Sequence, residues 1–430
     1  MLEVRKRGGK MKGNHKSITI LGGSGGVARA ILSILNESVQ DVKDPIHSIL
    51  KNRIIHLVDK KVMSQETYRQ FYPNLIDQLV FHQFELNDQS RLIEHLKNTN
   101  TSVVVDVSWA DTVEMMQCCN KLGINYVNTA LENKFIDDNE VLFEGFGLTE
   151  RVMHLEKHKD SINNSVAILC SGMNPGVVQW MAIELLKKNT LKDSPLACYI
   201  VEHDSSFFKD KKKAKKDVIY TTWSPELFLD EAILSYPMFV KQKIPLFLYE
   251  QVYDIEFKVT LGDKQFYGCL MQHEEVFSLA KFLNLESGFL YKINDHTTEI
   301  IRSNIEDVDK LWDFEMEVLN PLNAELEGED LCGVLMVYKD RETYLYNVMK
   351  NDEVFSKYKV NATYFQVACG LYASLAVLLL DQIPKGAYYV DELLLNTTNG
   401  FGDYLKHYMT EFVTGENNQS DGLLLDRIKK

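Results

Sequence analysis

The stretch SITILGGSGGVA, Ser17–Ala28, decides the fold that we predict for this chain. It begins with a short apolar segment, Ser17–Leu21, that has the composition of a buried strand. A glycine-rich turn follows at once, and residues 28–35 then repeat with the period of a helix. A strand that passes through such a turn into a helix leaves the first N–H groups of the helix free, and these groups bind a phosphate.

Three small residues give this turn its shape, each for a mechanical reason. Gly23 permits the tight turn from strand to helix, Gly25 lets the backbone approach a pyrophosphate, and Ala28 lets the helix pack closely on the strand. The order of strand, turn and helix distinguishes this pattern from a chance run of glycines. The residues predicted to hold a dinucleotide are Gly23, Ser24, Gly25, Gly26 and Val27.

A second strand indicates which dinucleotide would bind. Arg53–Val58 is apolar and ends at Asp59, whose carboxylate could accept hydrogen bonds from the ribose hydroxyls of NAD. Lys60 and Lys61 follow directly and offer an alternative, because they could hold the 2′-phosphate of NADP. Asp59 could also simply cap the end of the strand. We expect NAD, with an insertion at Ser38–Pro45 that lengthens the spacing to the acid.

Strand and helix patterns continue to alternate as far as residue 140. This alternation predicts an α/β fold that begins with a Rossmann domain, a doubly wound parallel sheet, over residues 15–150. The further strands are predicted at residues 79–84, 102–107 and 124–129, with helices at 90–97 and 111–122.

The pattern changes in the second half of the chain. Strand-like segments among longer loops predict an α+β domain for substrate binding and dimerisation over residues 151–360. A helical segment over residues 361–414 is expected to pack back on the first domain, and residues 415–430 are predicted to be a polar tail.

The composition restricts the class of protein. The chain has 430 residues, of which 45% are hydrophobic and 25% charged, as in a globular protein of two or three domains. The net charge of −14 argues against nucleic acid as a partner, because phosphate binding needs a positive surface. A negative protein is instead compatible with a cationic ligand.

Cysteine usage and hydropathy predict a cytoplasmic protein without a metal site or a membrane span. Seven cysteines lack C-x-x-C pairs, and the basic residues Met1–Lys16 lack the apolar core of a secretory signal and predict a disordered lead-in. The longest apolar run, Val367–Leu380, is interrupted by Gly370 and Ser374 and is too short to cross a membrane. We expect a buried helix there.

Four segments, taken together, resemble homospermidine synthases within the saccharopine-dehydrogenase-like family. Their order and approximate spacing hold along nearly the whole chain, and the block T-T-W-S, residues 221–224, is the most specific of their motifs. The segments are Gly172–Trp180, Glu202–Phe228 with its lysine-rich loop, Gly268–Glu275 and Asn361–Glu392.

The resemblance implies a transferase that uses NAD catalytically. In that reaction two putrescine units are joined through an imine, ammonia leaves, and the retained hydride reduces the new imine to homospermidine. It also implies a small cationic amine, putrescine or spermidine, as the substrate and a homodimer as the assembly. Two alternatives stay open: a saccharopine- or carboxynorspermidine-forming dehydrogenase, and a non-catalytic NAD-sensing or scaffold protein.

Five residues of the resembling segments are the predicted catalytic residues. A buried ammonium needs anionic or aromatic partners, which Glu202, Glu231 and the ring of Trp223 could provide. His273 is predicted to shuttle protons near neutral pH, and Asn174 to orient an amine or the nicotinamide amide. Each of the five could otherwise be an ordinary core or surface residue.

Further residues are expected near this site with less support. Ser108, Trp109 and Thr129 follow predicted strands and could line the cofactor crevice. The basic run at residues 209–217 is predicted to be a solvated loop, with an anion-binding patch as the alternative. Other acids that could reach the site are Glu132, Asp391 and Glu392.

Overall fold

The structure, a computed structural model, describes residues 16–191 and 193–429. The lead-in predicted for Met1–Lys16 therefore lies, apart from Lys16, outside the described residues. The strands in chain order are β1 Ser17–Leu21, β2 Ile55–Asp59, β3 Leu79–Gln83, β4 Thr101–Asp106, β5 Asn125–Asn128, β6 Val166–Leu169, β7 Ala197–Asp204, β8 Phe207–Phe208, β9 Val218–Thr221, β10 Met238–Lys241, β11 Ile244–Phe247, β12 Glu256–Leu261, β13 Lys264–Met271, β14 Glu286–Lys292, β15 Glu315–Val318, β16 Leu326–Glu327, β17 Glu329–Val337, β18 Glu342–Lys350, β19 Gly386–Tyr389 and β20 Phe412–Asn417.

Helices connect and cover these strands. In chain order they are α1 Gly26–Ser38, α2 His47–Leu50, α3 Gln65–Phe71, α4 Gln89–Asn98, α5 Thr112–Leu122, α6 Lys134–Asp137, α7 Gly147–Lys159, α8 Val177–Lys188, α9 Pro225–Ile233, α10 Glu274–Leu283, α11 Asp295–Ser303, α12 Asn351–Tyr358, α13 Ala362–Leu380, α14 Val390–Asn396 and α15 Phe401–Leu405.

The first sheet has seven parallel strands in the order β19-β6-β5-β4-β1-β2-β3. From β3 to β6 this is the strand order of a dinucleotide-binding Rossmann sheet. Both β1 and β2 are buried at every residue, because helices cover both faces of a parallel sheet. The predicted α/β fold class is therefore confirmed, and the strands predicted for this sheet lie within two residues of their predicted limits.

This sheet extends beyond residue 150, where the first domain was predicted to end. Strand β6 pairs with β5, and β19, from the C-terminal part of the chain, pairs with β6 as the edge strand. Their sequences carry no signal that distinguishes one sheet from the other, because that choice depends on long-range pairing.

The second sheet is mixed, as expected of an α+β domain. Its main path is β11-β10-β14-β7-β17-β18-β20, and β13 joins the hairpin β12–β13 to β14. Strands β14 and β7 are parallel, whereas the other neighbours along the path are antiparallel. Helices α8, α10 and α13 pack against this sheet.

Helix α13 joins the two sheets. It packs against α1 of the first domain and against β17 and β18 of the second. Among the described helices it is the one long and apolar enough to cross a membrane, but 78% of that apolar window is buried in the protein. We therefore assign it as a core helix.

The predicted polar tail is wrong for the described residues 415–429. Strand β20 pairs with β18 in antiparallel register, so the sheet runs on to Asn417. Beyond it, Arg427 is 2% exposed and forms an ion pair with Glu342, which is fully buried. The polar composition misled the prediction because these side chains find buried partners far away in the sequence.

Candidate active site

The phosphate-binding turn lies between β1 and α1 at the carboxyl end of the first sheet. Gly22 has φ +77°, and a Cβ there would lie 2.5 Å from the Val107 carbonyl oxygen. The prediction gave this role to Gly23, where a Cβ would instead make a tight contact of 3.1 Å with Leu57 of β2. Gly22 therefore adopts the left-handed backbone conformation, and Gly23 makes the close contact with β2.

The start of α1 is open to ligands. Its N-cap residue is Gly25, so no side chain caps the first N–H groups of the helix. Both Gly25 and Gly26 line a cavity of about 270 Å³ between the two domains. The turn, the open helix end and the adjoining space fit the pyrophosphate of a dinucleotide.

The structure brings most of the predicted site residues to this cavity. Gly23, Ser24 and Asp59 are not among the residues that line it. The predicted residues that do line it are Gly25, Gly26, Val27, Ser108, Trp109, Thr129, Asn174, Glu202, Trp223, Glu231 and His273.

Glu202 and Asn174 form a hydrogen-bonded pair at the junction of the domains. Glu202 is on β7, and Asn174 belongs to the turn before α8, in which Gly176 (φ +128°) passes so close to Gly172 that no side chain would fit. Asn174 Nδ2 donates to Glu202 Oε2 at 2.5 Å. Burial, with the nearby charge of Asp204, raises the pKa of Glu202 to about 8, while the Asn174 hydrogen bond lowers it.

Trp223 and Glu231 are positioned by a single capped helix. Strand β9 ends just before Trp223, and the Ser224 side chain caps α9 by accepting a hydrogen bond from the Leu227 N–H group. Glu231 lies two turns along this helix, and its Oε2 is buried without a hydrogen-bond partner among the described residues. Burial raises the pKa of Glu231 to about 8, although His273 lowers it.

His273 is held in an ion pair, which corrects the predicted role of a neutral-pH shuttle. It precedes α10, and its Nδ1 lies 2.5 Å from Glu275 Oε2 and 3.7 Å from Glu274 Oε2. Burial alone would lower the pKa of His273, but the charge and hydrogen bond of Glu275, with Glu274 and Glu231, raise it to about 10. The ring is therefore an imidazolium at neutral pH.

His273, Glu274 and Glu275 form a cluster in which the atoms that could bind a metal ion lie close together. Among the described residues, His273, Glu274 and Glu275 are the group with ligand atoms within 4.8 Å of one another, close enough for a metal ion. Glu274 Oε1, however, already accepts a hydrogen bond from the Leu131 N–H group at 3.0 Å, and Glu275 holds His273. These contacts are those of a protonated histidine with its counter-ions.

Aromatic rings form another wall of the cavity. Trp223 Nε1 donates to the Tyr291 hydroxyl at 3.4 Å. Tyr291 stacks on Phe289, with ring centres 5.6 Å apart and planes 19° apart, and Phe289 contacts the His273 ring. Tyr291 and Phe289 were not predicted, because both lie on a buried strand, β14, whose apolar pattern indicates only core.

Glu132 and Arg151 add a second ionic group to the lining. Arg151 Nη2 donates to Asp137 Oδ1 at 2.6 Å, and this pairing neutralises the guanidinium. Burial raises the pKa of Glu132 to about 8, while Arg151 lowers it. The sequence pointed to Glu132, whereas Arg151 lies on α7, where an arginine is unremarkable.

The cavity lining has an excess of acids. Two cations, Arg151 and His273, line it, and both are already paired with acids. Among the described residues, the acids of the lining number five, which are Asp106, Glu132, Glu202, Glu231 and Glu274. Buried carboxylates without cations favour a positively charged ligand, which would compensate them.

Two further candidate acids do not reach the cavity. Asp391 is buried behind it and accepts a hydrogen bond from Gln179 at 3.1 Å. Glu392 forms an ion pair with Lys159. Both residues hold α14 against the core, so neither of these acids, which could have reached the site, lines the cavity.

Asp59 holds the phosphate-binding turn from outside the cavity. Its Oδ2 accepts a hydrogen bond from the Ser24 N–H group at 2.9 Å, and its Oδ1 accepts one from Lys61 N–H at 2.8 Å. Ser108 lines the cavity, but its hydroxyl already donates to Asp106 at 2.6 Å. Trp109 is 63% exposed and lies at the cavity mouth.

The lysine-rich loop lies elsewhere. Three of its lysines pair with acids on neighbouring segments, and none lines the cavity. These pairs support the interpretation as a solvated loop; they are Lys209–Glu325, Lys211–Glu327 and Lys215 with Glu315 and Glu317.

Comparison with known sequences gives one distant relative. No protein-family profile matches the chain. A protein named homospermidine synthase from Mesorhizobium japonicum is 23% identical over 349 residues, which are 66% of this chain and 68% of that protein. This similarity supports the resemblance seen in the motifs.

Solved structures show only weak similarity. The enzyme WbmG of Bordetella bronchiseptica, solved with NAD, is 14% identical over 28% of this chain and 39% of its own, with a TM-score of 0.20. The dTDP-glucose 4,6-dehydratase of Bacillus anthracis, also solved with NAD, is 12% identical over 43% and 64%, with a TM-score of 0.25. The strand order of the first sheet, and not these scores, defines the fold.

Proposed function

We propose that the protein is an NAD-dependent enzyme that acts on a small cationic amine and forms homospermidine from two putrescine molecules. The observation that carries this proposal is the excess of buried acids in a cavity that adjoins an open phosphate-binding turn. The Mesorhizobium relative and the T-T-W-S block support the specific reaction. In that reaction two putrescines give homospermidine and ammonia, with no net change in redox state.

The residues of the turn would hold the dinucleotide. Gly26 and Val27 offer free backbone N–H groups to a pyrophosphate, Gly25 lets it approach the backbone, and Ser108 and Thr129 lie where the crevice continues. The chemistry that NAD supplies when bound is the exchange of a hydride with the amine-bearing carbon.

The acids would bind and deprotonate the amine. An amine nitrogen must lose its proton before it can attack a carbon, and a carboxylate whose pKa lies near the working pH is an effective base. Glu231 Oε2, which has no partner among the described residues, is the atom that we assign to this proton. Glu202, held by Asn174, would anchor an ammonium group.

His273 and Trp223 would serve different steps. His273 is protonated at neutral pH, so it would donate a proton to the departing ammonia. Trp223 offers the face of its ring to a cation that forms during the cycle. Its indole is oriented by the hydrogen bond to Tyr291.

One observation keeps a second function open. Arg151 lines the cavity, and an arginine is the residue that a substrate α-carboxylate would require in a net reductive amination. Its pairing with Asp137 opposes that use, because a substrate carboxylate would have to compete with a bond of 2.6 Å. We therefore favour the amine transferase over the amino acid dehydrogenase.

The cofactor requirement separates these functions. We expect putrescine to be converted to homospermidine and ammonia with only trace NAD, because the hydride returns within each cycle. Mass spectrometry of the products, with absorbance at the NADH band, measures both quantities. Formation of NADH in step with product, or turnover only with an oxo acid and reduced cofactor, would favour the dehydrogenase.

Asp59 should set the affinity for NAD. We expect Asp59→Ala to weaken NAD binding by about 1–3 kcal/mol, because the Ser24 N–H group and the ribose hydroxyls lose an acceptor. Calorimetric titration with NAD and NADP would measure this change. If the parent binds NADP more tightly, Lys60 and Lys61 set the specificity instead, and Lys60→Ala should then lose that preference.

A further inference from the structure

Helix α13 places a tyrosine, Tyr364, against the phosphate-binding turn. Tyr364 lies in the first turn of α13, where its N–H group is capped by Asn361 Oδ1 at 2.9 Å. Its phenol ring rests on Gly26, since a Cβ added to Gly26 would lie 2.2 Å from Tyr364 Cζ and 2.7 Å from its hydroxyl. Both residues line the same cavity.

Of the tyrosines around this turn, Tyr364 is the one whose hydroxyl makes no hydrogen bond to the described residues. Tyr68 donates to the Gly23 carbonyl at 2.6 Å, and Tyr72 donates to the Arg29 carbonyl at 3.1 Å. Among the described residues the Tyr364 hydroxyl has no hydrogen-bond partner. This hydroxyl, half-buried beside an open helix end, is therefore available to donate a hydrogen bond to a ligand.

The local charge favours an anionic acceptor. Burial raises the pKa of Tyr364 to about 12, so the phenol keeps its proton and acts as a donor. Arg29 lies close enough for its charge to lower that pKa, and its Nε is buried without a partner among the described residues. Tyr364, Gly26 and Val27 thus line one cavity, and of the two charges that act on the phenol, that of Arg29 outweighs that of Glu226.

From this geometry we infer that Tyr364 is a cofactor-binding residue whose hydroxyl donates a hydrogen bond to the diphosphate of the dinucleotide. The inference rests on the proposed binding of NAD. The phosphate site would then be formed by the turn between β1 and α1 together with helix α13. A donor from α13 would add to the backbone N–H groups of α1.

Binding to the full-length protein tests this role without reference to catalysis. Titration calorimetry would compare the parent, Tyr364→Phe and Tyr364→Ala with NAD, with ADP-ribose, which keeps the diphosphate, and with adenosine, which lacks it. We expect Tyr364→Phe to weaken NAD and ADP-ribose by about tenfold, the loss typical of one hydrogen bond to a charged acceptor, and to leave adenosine unchanged. Tyr388→Phe, at a hydroxyl bonded to the Pro384 carbonyl in an exposed position, is the matched control.

The outcomes separate the inference from the proposed function. A parent that binds neither NAD nor ADP-ribose would overturn the proposed function itself. A parent that binds both, with Tyr364→Phe equal to it or tighter, would overturn only the role of Tyr364. Equal weakening of adenosine and NAD by Tyr364→Phe would show that the hydroxyl does not act on the diphosphate and would overturn the hydrogen bond to it.

Discussion

Replacing Glu231 by glutamine should lower amine turnover by about 10²–10⁴-fold, the contribution typical of a positioned general base. The amide keeps the shape of the side chain but cannot take a proton. Glu202→Gln should act chiefly on the Michaelis constant, because it removes the charge that anchors an ammonium while Asn174 keeps a hydrogen-bond partner. Steady-state kinetics with putrescine would measure both effects.

The pH profile provides a second measure of the same acids. Burial raises the pKa of Glu202 and of Glu231 to about 8, so the base becomes active as the pH rises through that region. We therefore expect kcat/KM of the parent to rise on its acidic side with an apparent pKa near 8. Glu231→Gln should flatten this limb.

A matched variant on the same helix controls for indirect effects. Glu226 lies in the first turn of α9, is exposed, and is five residues from Glu231. We expect Glu226→Gln to keep the parental rate, and all these variants to bind NAD with parental affinity. If both Glu231→Gln and Glu202→Gln also keep parental rates, the site of amine chemistry lies elsewhere.

Trp223→Ala should lower kcat/KM for the amine by about 30-fold or more. This corresponds to ~2 kcal/mol for a desolvated cation against an indole ring. Trp223→Phe should retain part of the activity, because phenylalanine keeps a ring face with a weaker quadrupole. Kinetics on protein of confirmed thermal stability would distinguish the two variants.

Another tryptophan supplies the control for Trp223. Trp312 lies away from the cavity and is 36% exposed, so Trp312→Ala removes the same side chain without touching the site. We expect it to keep parental kinetics. A Trp223→Ala protein that fails to fold, together with Trp223→Phe at full activity, would make Trp223 a core residue.

Local patterns in the sequence predicted the residues whose conformation depends only on their neighbours in the chain. The turn at residues 22–28 needs its glycines wherever it occurs. Such positions follow from short-range geometry, and the resemblance added their chemistry. Most of the predicted site residues line one cavity, and their catalytic roles stay predictions.

Features that depend on distant neighbours could not be predicted in this way. The protonation of His273 depends on acids that two different helices bring to it. Arg151 and Tyr364 reach the cavity only because α7 and α13 pack as they do. Strand β20 has no fully buried residue and no strict alternation of exposed and covered positions, so only its pairing with β18 reveals it.

The late strands β19 and β20 have a consequence for biosynthesis. Domains generally fold in order, N-terminal first, as the chain leaves the ribosome. Here the Rossmann sheet receives its edge strand from residues 386–389, after nearly all of the second domain has been translated. Until then the nascent chain exposes the edge of β6 and the apolar face of α1 that α13 later covers. The first sheet therefore cannot be completed until residue 389 has been synthesised.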